Sequence, residues 1–189
     1  MSARETQLNE PVPILAPTLP EFIVQHRVLT PRQCETLAEG TVLRGRYYRS
    51  NSRSLTKRVD IAYVYPKQAR WLFAKIGSLA ARRNVWDLAL SAITEPIRVQ
   101  RYVRGDYSDI HTDYDYTDGD FSKLTIVMPL VDPRKWEGGT LEIGNSSVIP
   151  RLRRGDAVLF PSFTPHRVSR VIRGSRIILS AWVSGPILR

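Results

Sequence analysis

Hydrophobic positions along this chain follow two rhythms. Between Pro66 and about Arg83, Leu72, Ile76, Leu79 and Ala80 recur three or four residues apart, which places them on one face of a helix. Trp71 and Phe73 fall in the same run and read as packing residues. A shorter helix is expected from Thr30 as N-cap, through Pro31 at the first helical position, to near Gly40. Elsewhere the apolar runs have strand length: Phe22–Leu29, Val59–Tyr65, then 86–91, 96–104, 122–131, 139–144, 156–161, 166–173 and 175–184. Gly, Pro, Asn or Asp separate them, as turns between short strands require. The pattern predicts a mainly β fold, a sandwich or jelly roll, with flanking α-helices.

The same pattern sets the domain organisation. Residues 1–20 carry Pro11, Pro13, Pro17 and Pro20 and predict an extended arm, leaving 21–189 as one domain of ordinary size. The stretch 44–58, rich in Arg, Ser and Tyr, reads as a loop. The sequence contains no internal repeat and no Gly-rich phosphate loop, and Gly138-Gly139 reads as a tight turn into a strand.

Charge changes this picture more than composition does. Hydrophobic residues make up 42% of the 189, ordinary for a globular protein. Net charge is +10 and uneven: residues 1–104 hold 17 Lys/Arg against 8 Asp/Glu, whereas 105–189 hold 11 against 10. Between Gly40 and Val59 lie Arg44, Arg46, Arg49, Arg53, Lys57 and Arg58 with no acid, while Asp106, Asp109, Asp113, Asp115, Asp118 and Asp120 crowd a later turn. This balance invites an anionic partner, nucleic acid included, although a solvated basic face is the commoner outcome of a charge run. No apolar stretch approaches the roughly 20 residues of a membrane span, and the first residues lack the apolar core of a secretory signal. Cys34, the single cysteine, excludes an internal disulfide, reads as a buried helix residue and fits a reducing, cytoplasmic setting.

The candidate chemistry begins at His111-Thr112-Asp113. Residues two apart on a strand point to the same side, which two ligands of one metal need. Of the three histidines, His26, His111 and His166, two join this constellation. Gly155–Pro161 reads as a tight turn and buried strand that delivers His166. Ten residues later Arg176 opens the apolar run Ile177–Val183. A permanent charge there needs an acid such as Asp156, or a ligand carboxylate. Two histidines and a carboxylate on one face of non-haem Fe(II) leave three positions for a bidentate co-substrate and dioxygen.

From about Val99 to Val183 the chain resembles the Fe(II)- and 2-oxoglutarate-dependent dioxygenases, in their prolyl 4-hydroxylase-like branch. The resemblance rests on Tyr102-Val103-Arg104-Gly105 leading to His111-Thr112-Asp113, the strand Lys123–Leu130, and Glu137-Gly138-Gly139-Thr140-Leu141. Phe160-Pro161 before His166, then Gly174-Ser175-Arg176 and Trp182, complete it. Upstream, Leu29-Thr30-Pro31-Arg32-Gln33-Cys34 is similar to the family's opening helix. The resemblance implies a double-stranded β-helix, a cupin-like jelly roll backed by helices, with His111, Asp113 and His166 on iron. Arg176 would clamp the distal carboxylate of 2-oxoglutarate, Tyr102 and Thr125 would line the co-substrate pocket, and Trp182 would pack close to the iron. Pro129 stands where the branch often has a Tyr that shares this carboxylate, so the clamp would rest on Arg176 with Thr125 or another hydroxyl.

The implied reaction is oxidative decarboxylation of 2-oxoglutarate to succinate and CO2, coupled to hydroxylation of an unactivated C–H bond. Ascorbate is a further candidate co-reductant. The implied substrate is a prolyl residue in a protein or peptide. A free amino acid or similar metabolite is the alternative, with Arg49 and Arg53 as candidate holders of its carboxylate or as attractors of an acidic protein. Oxidative demethylation of nucleic acid fits the charge but not the placement of Arg176 or the lack of an aromatic stacking array. Retention of His111, Asp113, His166 and Arg176 together argues against a non-catalytic jelly-roll module.

Overall fold

The protein is described by a computed structural model at residues 19–39, 48–51, 57–117, 120–145, 149 and 151–186. The expected arm, but for its last two residues, and Arg53 lie outside the described residues. In chain order the elements are β1 (Ile23–Gln25), α1 (Pro31–Ala38), β2 (Tyr48–Asn51), β3 (Lys57–Val64), α2 (Arg70–Arg83), β4 (Ile97–Tyr102) and β5 (Tyr107–His111). There follow β6 (Tyr116–Thr117), β7 (Asp120–Pro129), β8 (Trp136–Gly138), β9 (Leu141–Ile143), β10 (Ala157–Pro161), β11 (His166–Val168), β12 (Val171–Gly174) and β13 (Arg176–Gly185). The main sheet runs β1-β10-β7-β13-β4-β3-β5-β11-β9, all antiparallel, with β2 added to β3 and β6 to β7. A ribbon of β12 and β8 stands beside it. The mainly β jelly roll with two helices expected from the sequence is the fold that forms.

Period-two alternation sorts the long strands onto two surfaces. Leu179, Ala181 and Val183 of β13, Leu124, Ile126 and Met128 of β7, and Ile97 and Val99 of β4 face outward. Leu72, Ile76 and Leu79 of α2 and Leu37 of α1 cover them as one buried cluster. Each such side chain contributes about 1.5–3 kcal/mol on burial. The alternate positions, Ile178 of β13, Val127 of β7, Tyr102 of β4 and Phe160 of β10, meet Ile143 of β9 and Val168 of β11 inside the roll. The candidate site belongs to this inner face.

Local chemistry explains where elements differ from expectation. Helix α1 starts as expected: Gln33 N donates to Thr30 Oγ1 at 3.2 Å and Thr30 N to Gln33 Oε1 at 3.0 Å, a capping box. Helix α2 begins at Arg70 rather than Pro66, because Tyr65 N donates to Gln68 Oε1 at 2.8 Å and closes a turn first. The expected strand 86–91 is an irregular segment. Asn84 holds it through Leu88 N and O, and Leu88 and Leu90 pack against the core without a pairing partner. Phe22–Leu29 shortens to β1, since the chain turns at Arg27 (φ 57°). The basic stretch is not all loop: it contains β2 and the start of β3. The run 139–144 shortens to β9 and 166–173 splits into β11 and β12, beside the tight turn at Gly138 and Gly139 (φ 70° and 59°), where a Cβ on Gly138 would lie 2.2 Å from Arg170 O.

Candidate metal centre and co-substrate pocket

Strand pairing brings the two histidines together. His111 ends β5 and His166 opens β11, directly opposite in the register, with ring centroids 4.3 Å apart. Asp113 lies two residues beyond the end of β5 and its N–H donates to Ser162 O at 2.8 Å, which turns the carboxylate inward. Thr125 Oγ1 of β7 donates to Asp113 Oδ2 at 3.0 Å and shares a 2.9 Å hydrogen bond with Ser162 Oγ.

The ring nitrogens are set by the main chain. His111 Nδ1 lies 2.7 Å from Asp109 O, and His166 Nδ1 lies 3.1 Å from Thr164 O. A carbonyl only accepts, so each Nδ1 carries the proton and each Nε2 points elsewhere. Both Nε2 atoms converge on Asp113, His166 at 3.3 Å from Oδ2 and His111 at 3.7 Å from Oδ1. The three ligand atoms lie within 4.8 Å of one another. Three such acceptors repel unless a cation lies among them, so the donor set fits a divalent metal. Burial works to raise the Asp113 carboxyl, but hydrogen bonding and charge from His166, the Trp182 indole N–H and the charge of His111 outweigh it and hold it at about 2.

The anion clamp lies along the same face. Arg176 is 4% exposed, stands opposite Tyr102 in the β4–β13 register, and its Cζ is 5.2 Å from the Tyr102 ring centroid. Its Nη1 is buried and has no acceptor among the described residues. Asp156 is not its partner: that carboxylate accepts from His26 Nδ1, Arg27 N and Arg153 N. Burial pushes the Tyr102 phenol up to about 12, against the pull of the Arg176 charge, so the phenol stays neutral. A buried guanidinium with an orphaned N–H, close to three metal-type donors, fits a ligand carboxylate. His111, Asp113, His166, Arg176, Tyr102 and Trp182 all border one cavity.

Residues 97–184 match the 2OG-Fe(II) oxygenase superfamily. The match covers nearly half of the chain and includes His111, Asp113, His166 and Arg176. Among curated relatives, a PKHD-type hydroxylase of Idiomarina loihiensis is 33% identical over 93 residues, or 48% of this chain. The chain spans about half the length of the curated relatives it matches, 43% of this one and 53% of a PKHD-type hydroxylase of Prochlorococcus marinus. In fold, the chain is similar to a Pseudomonas putida prolyl-4-hydroxylase, with TM-score 0.69, 20% identity and coverage of 87% of this chain and 92% of that one. It is also similar to a Trichoplax adhaerens prolyl hydroxylase in complex with a peptide fragment of hypoxia inducible factor, with TM-score 0.67, 18% identity and coverage of 86% and 83%.

Trp182 borders the cavity and hydrogen-bonds Asp113. Thr125 is placed against Asp113, its Oγ1 donating to Asp113 Oδ2 at 3.0 Å. Pro129 ends β7 opposite Ile178. Arg49 lies on β2, opposite Asp60 in the register. Sequence reasoning missed Ser162, which anchors both Asp113 and Thr125, and the buried pair Ser180 and Gln100, whose hydroxyl donates to Gln100 Oε1 at 3.0 Å on the cavity wall. The one available signal for Gln100 was a polar residue two before Tyr102, on the same strand face.

Proposed function

We propose that the protein is an Fe(II)- and 2-oxoglutarate-dependent dioxygenase that hydroxylates a prolyl residue of a protein or peptide. The observation that carries this reading is the convergence of three ligand atoms and an orphaned Arg176 nitrogen on one cavity. His111, Asp113 and His166 would hold Fe(II), and Arg176 the distal carboxylate of 2-oxoglutarate. When bound, that pair supplies the oxidative decarboxylation that gives succinate, CO2 and a hydroxylated carbon.

The chain's own part is orientation and exclusion of water. Carbonyls of Asp109 and Thr164 fix both imidazole rings, and Thr125 and Trp182 fix the Asp113 carboxylate. Val127, Val168 and Ile178 make the cavity wall apolar, which strengthens every charge contact inside. Residues 21–189 act as one catalytic domain in this reading. A peptide substrate is supported by the peptide held by the Trichoplax prolyl hydroxylase of like fold. A cytoplasmic setting is supported by the single, free Cys34, and ascorbate as co-reductant by the family alone.

A second reading, hydroxylation of a free amino acid or similar metabolite, is favoured by Arg98, a cation stacked on Trp182 beside the metal ligands. The test of the first step is common to both. Fe(II) and 2-oxoglutarate added without oxygen should give a weak visible charge-transfer band, and air should then release succinate. A folded protein that binds no iron and shows no band would falsify the enzyme reading.

A further inference from the structure

The inner face of β4, β13 and β7 carries three cations, Arg98, Arg176 and Lys123. Each has one buried nitrogen without an acceptor among the described residues: Arg98 Nε, Arg176 Nη1 and Lys123 Nζ. Arg176 is accounted for by the co-substrate. The other two lie farther along the same surface. Stepping by twos up β13 from Arg176, through Ile178 and Ser180, leads to Trp182, which hydrogen-bonds the metal ligand Asp113.

Arg98 faces Ser180 in the β4–β13 register, and its Cζ lies 4.4 Å from the Trp182 ring centroid. Its Nη2 donates to Glu95 Oε2 at 2.7 Å, and its side chain is 30% exposed. No other hydrogen bond from this guanidinium is made among the described residues, and it lies over the indole of Trp182, which lines the cavity. Lys123 precedes Thr125 by two on β7 and is 1% exposed. Its Nζ lies 5.5 Å and 5.8 Å from the rings of Tyr114 and Phe121, which stack on each other with centroids 4.7 Å apart. Ring faces attract a cation but do not neutralise it.

The formal charges leave a remainder. A divalent metal, Asp113, dianionic 2-oxoglutarate and Arg176 cancel among themselves, and Glu95 cancels Arg98. Lys123 is the cation this balance leaves without a partner: its Nζ has no acceptor among the described residues and is buried in a weakly screening interior. We infer that the substrate presents a carboxylate at the pocket mouth, where Arg98 takes it by its free N–H groups and Lys123 adds attraction from behind. This inference rests on the dioxygenase reading and names the substrate class for it: a carboxylate-bearing molecule, either a free amino acid or an acidic peptide.

The full chain, loaded with Mn(II) and 2-oxoglutarate so that nothing turns over, is titrated calorimetrically with matched pairs of probes. One pair is L-proline and L-prolinamide. The other is a blocked Gly-Glu-Pro-Glu-Gly peptide and its twin with Gln for Glu. One carboxylate member should bind at least about tenfold tighter than its neutral twin, and the pair that shows it separates metabolite from peptide. Arg98→Met should weaken that binding about tenfold, and Lys123→Met about threefold. Both should keep 2-oxoglutarate affinity within about twofold, and Arg134→Met, beyond the other end of β7, should change nothing. Lys123→Met should also melt at a higher temperature without ligands, because an apolar chain of similar length replaces an acceptor-less buried cation.

Equal binding of the twins, no binding of either carboxylate, or an Arg98→Met variant that binds like the parent overturns the inference. A lower melting temperature in Lys123→Met overturns the role given to Lys123. Failure of the unaltered chain to take up Mn(II) or 2-oxoglutarate counts against the dioxygenase reading itself, and shows at the loading step.

Discussion

His111 and His166 are oriented in the same way, each held by the backbone carbonyl two residues earlier, and their Nε2 atoms converge on Asp113. Asp113 is different, since it depends on Thr125, Ser162 and Trp182. Replacing a ligand should therefore differ in degree from replacing a supporter. In Fe(II) titrations, Asp113→Ala and His166→Ala should lose tight binding altogether, while Thr125→Val should weaken it about 10–100-fold with the fold intact. Arg176→Ala should leave iron binding unchanged and weaken 2-oxoglutarate by roughly 30-fold or more; unchanged co-substrate affinity would remove Arg176 from its assigned role. The ligand residues were legible in the sequence because His, Asp and Arg at the ends of apolar runs are costly unless used. Ser162 and Gln100 were not, because a small or neutral polar residue carries no such mark. Their roles come from register between strands distant in sequence.

Among elements, the joint between β1 and the turn before β10 shows how a single carboxylate can hold two segments. Asp156 is 2% exposed and accepts from Arg27 N at 3.0 Å, Arg153 N at 2.9 Å and His26 Nδ1 at 3.0 Å. Burial tends to raise its carboxyl, yet the two backbone N–H groups and His26 prevail and hold it below the ordinary carboxylate value. The stability it adds is full above the unfolded value of about 3.9 and is lost as pH falls below that, toward the folded value. Asp156→Asn should cost about 1–3 kcal/mol at neutral pH, and its urea midpoint should fall less steeply than the parent's on acidification. Gly155→Ala should be more damaging, since φ is +83° and the new Cβ would lie 2.2 Å from Leu29 O. Element types were legible where one period dominated, as in α2, or where a cap or a continuous apolar run marked the element, as in α1, β7 and β13. The segment 86–91 misled because Trp86, Leu88 and Leu90 alternate like a strand yet pack on the core with only a single bridge beyond them, Ala92 to Ser184.

For the molecule as a whole, the candidate metal site joins strands that are far apart in the sequence. His111 and His166 come from β5 and β11, while Asp113 is tied to β7 through Thr125 and to β13 through Trp182. A ligand held there adds stability by mass action, about 2.7 kcal/mol at a hundred times its dissociation constant. For a chain of this size that corresponds to about 5–11 °C in melting temperature. Saturating Fe(II) or Mn(II) should produce a shift of this order, a chelator should reverse it, and His166→Ala should abolish it. No helix among the described residues is long and apolar enough to cross a membrane. The fold class was legible because strand-length runs and turn residues recur throughout. The closure of the roll was not, because β5 pairs with both β3 and β11, a fact no local pattern records.

The carbonyl-locked imidazoles have a consequence for the living cell. A site whose ligands are already aimed has little geometric veto over which divalent ion it accepts, and nickel, copper and zinc bind such nitrogen–oxygen sets more tightly than ferrous iron does. Mismetallation would then silence the protein without unfolding it, and the fraction at work at any moment would follow the surrounding pool of exchangeable metals rather than the amount of polypeptide made.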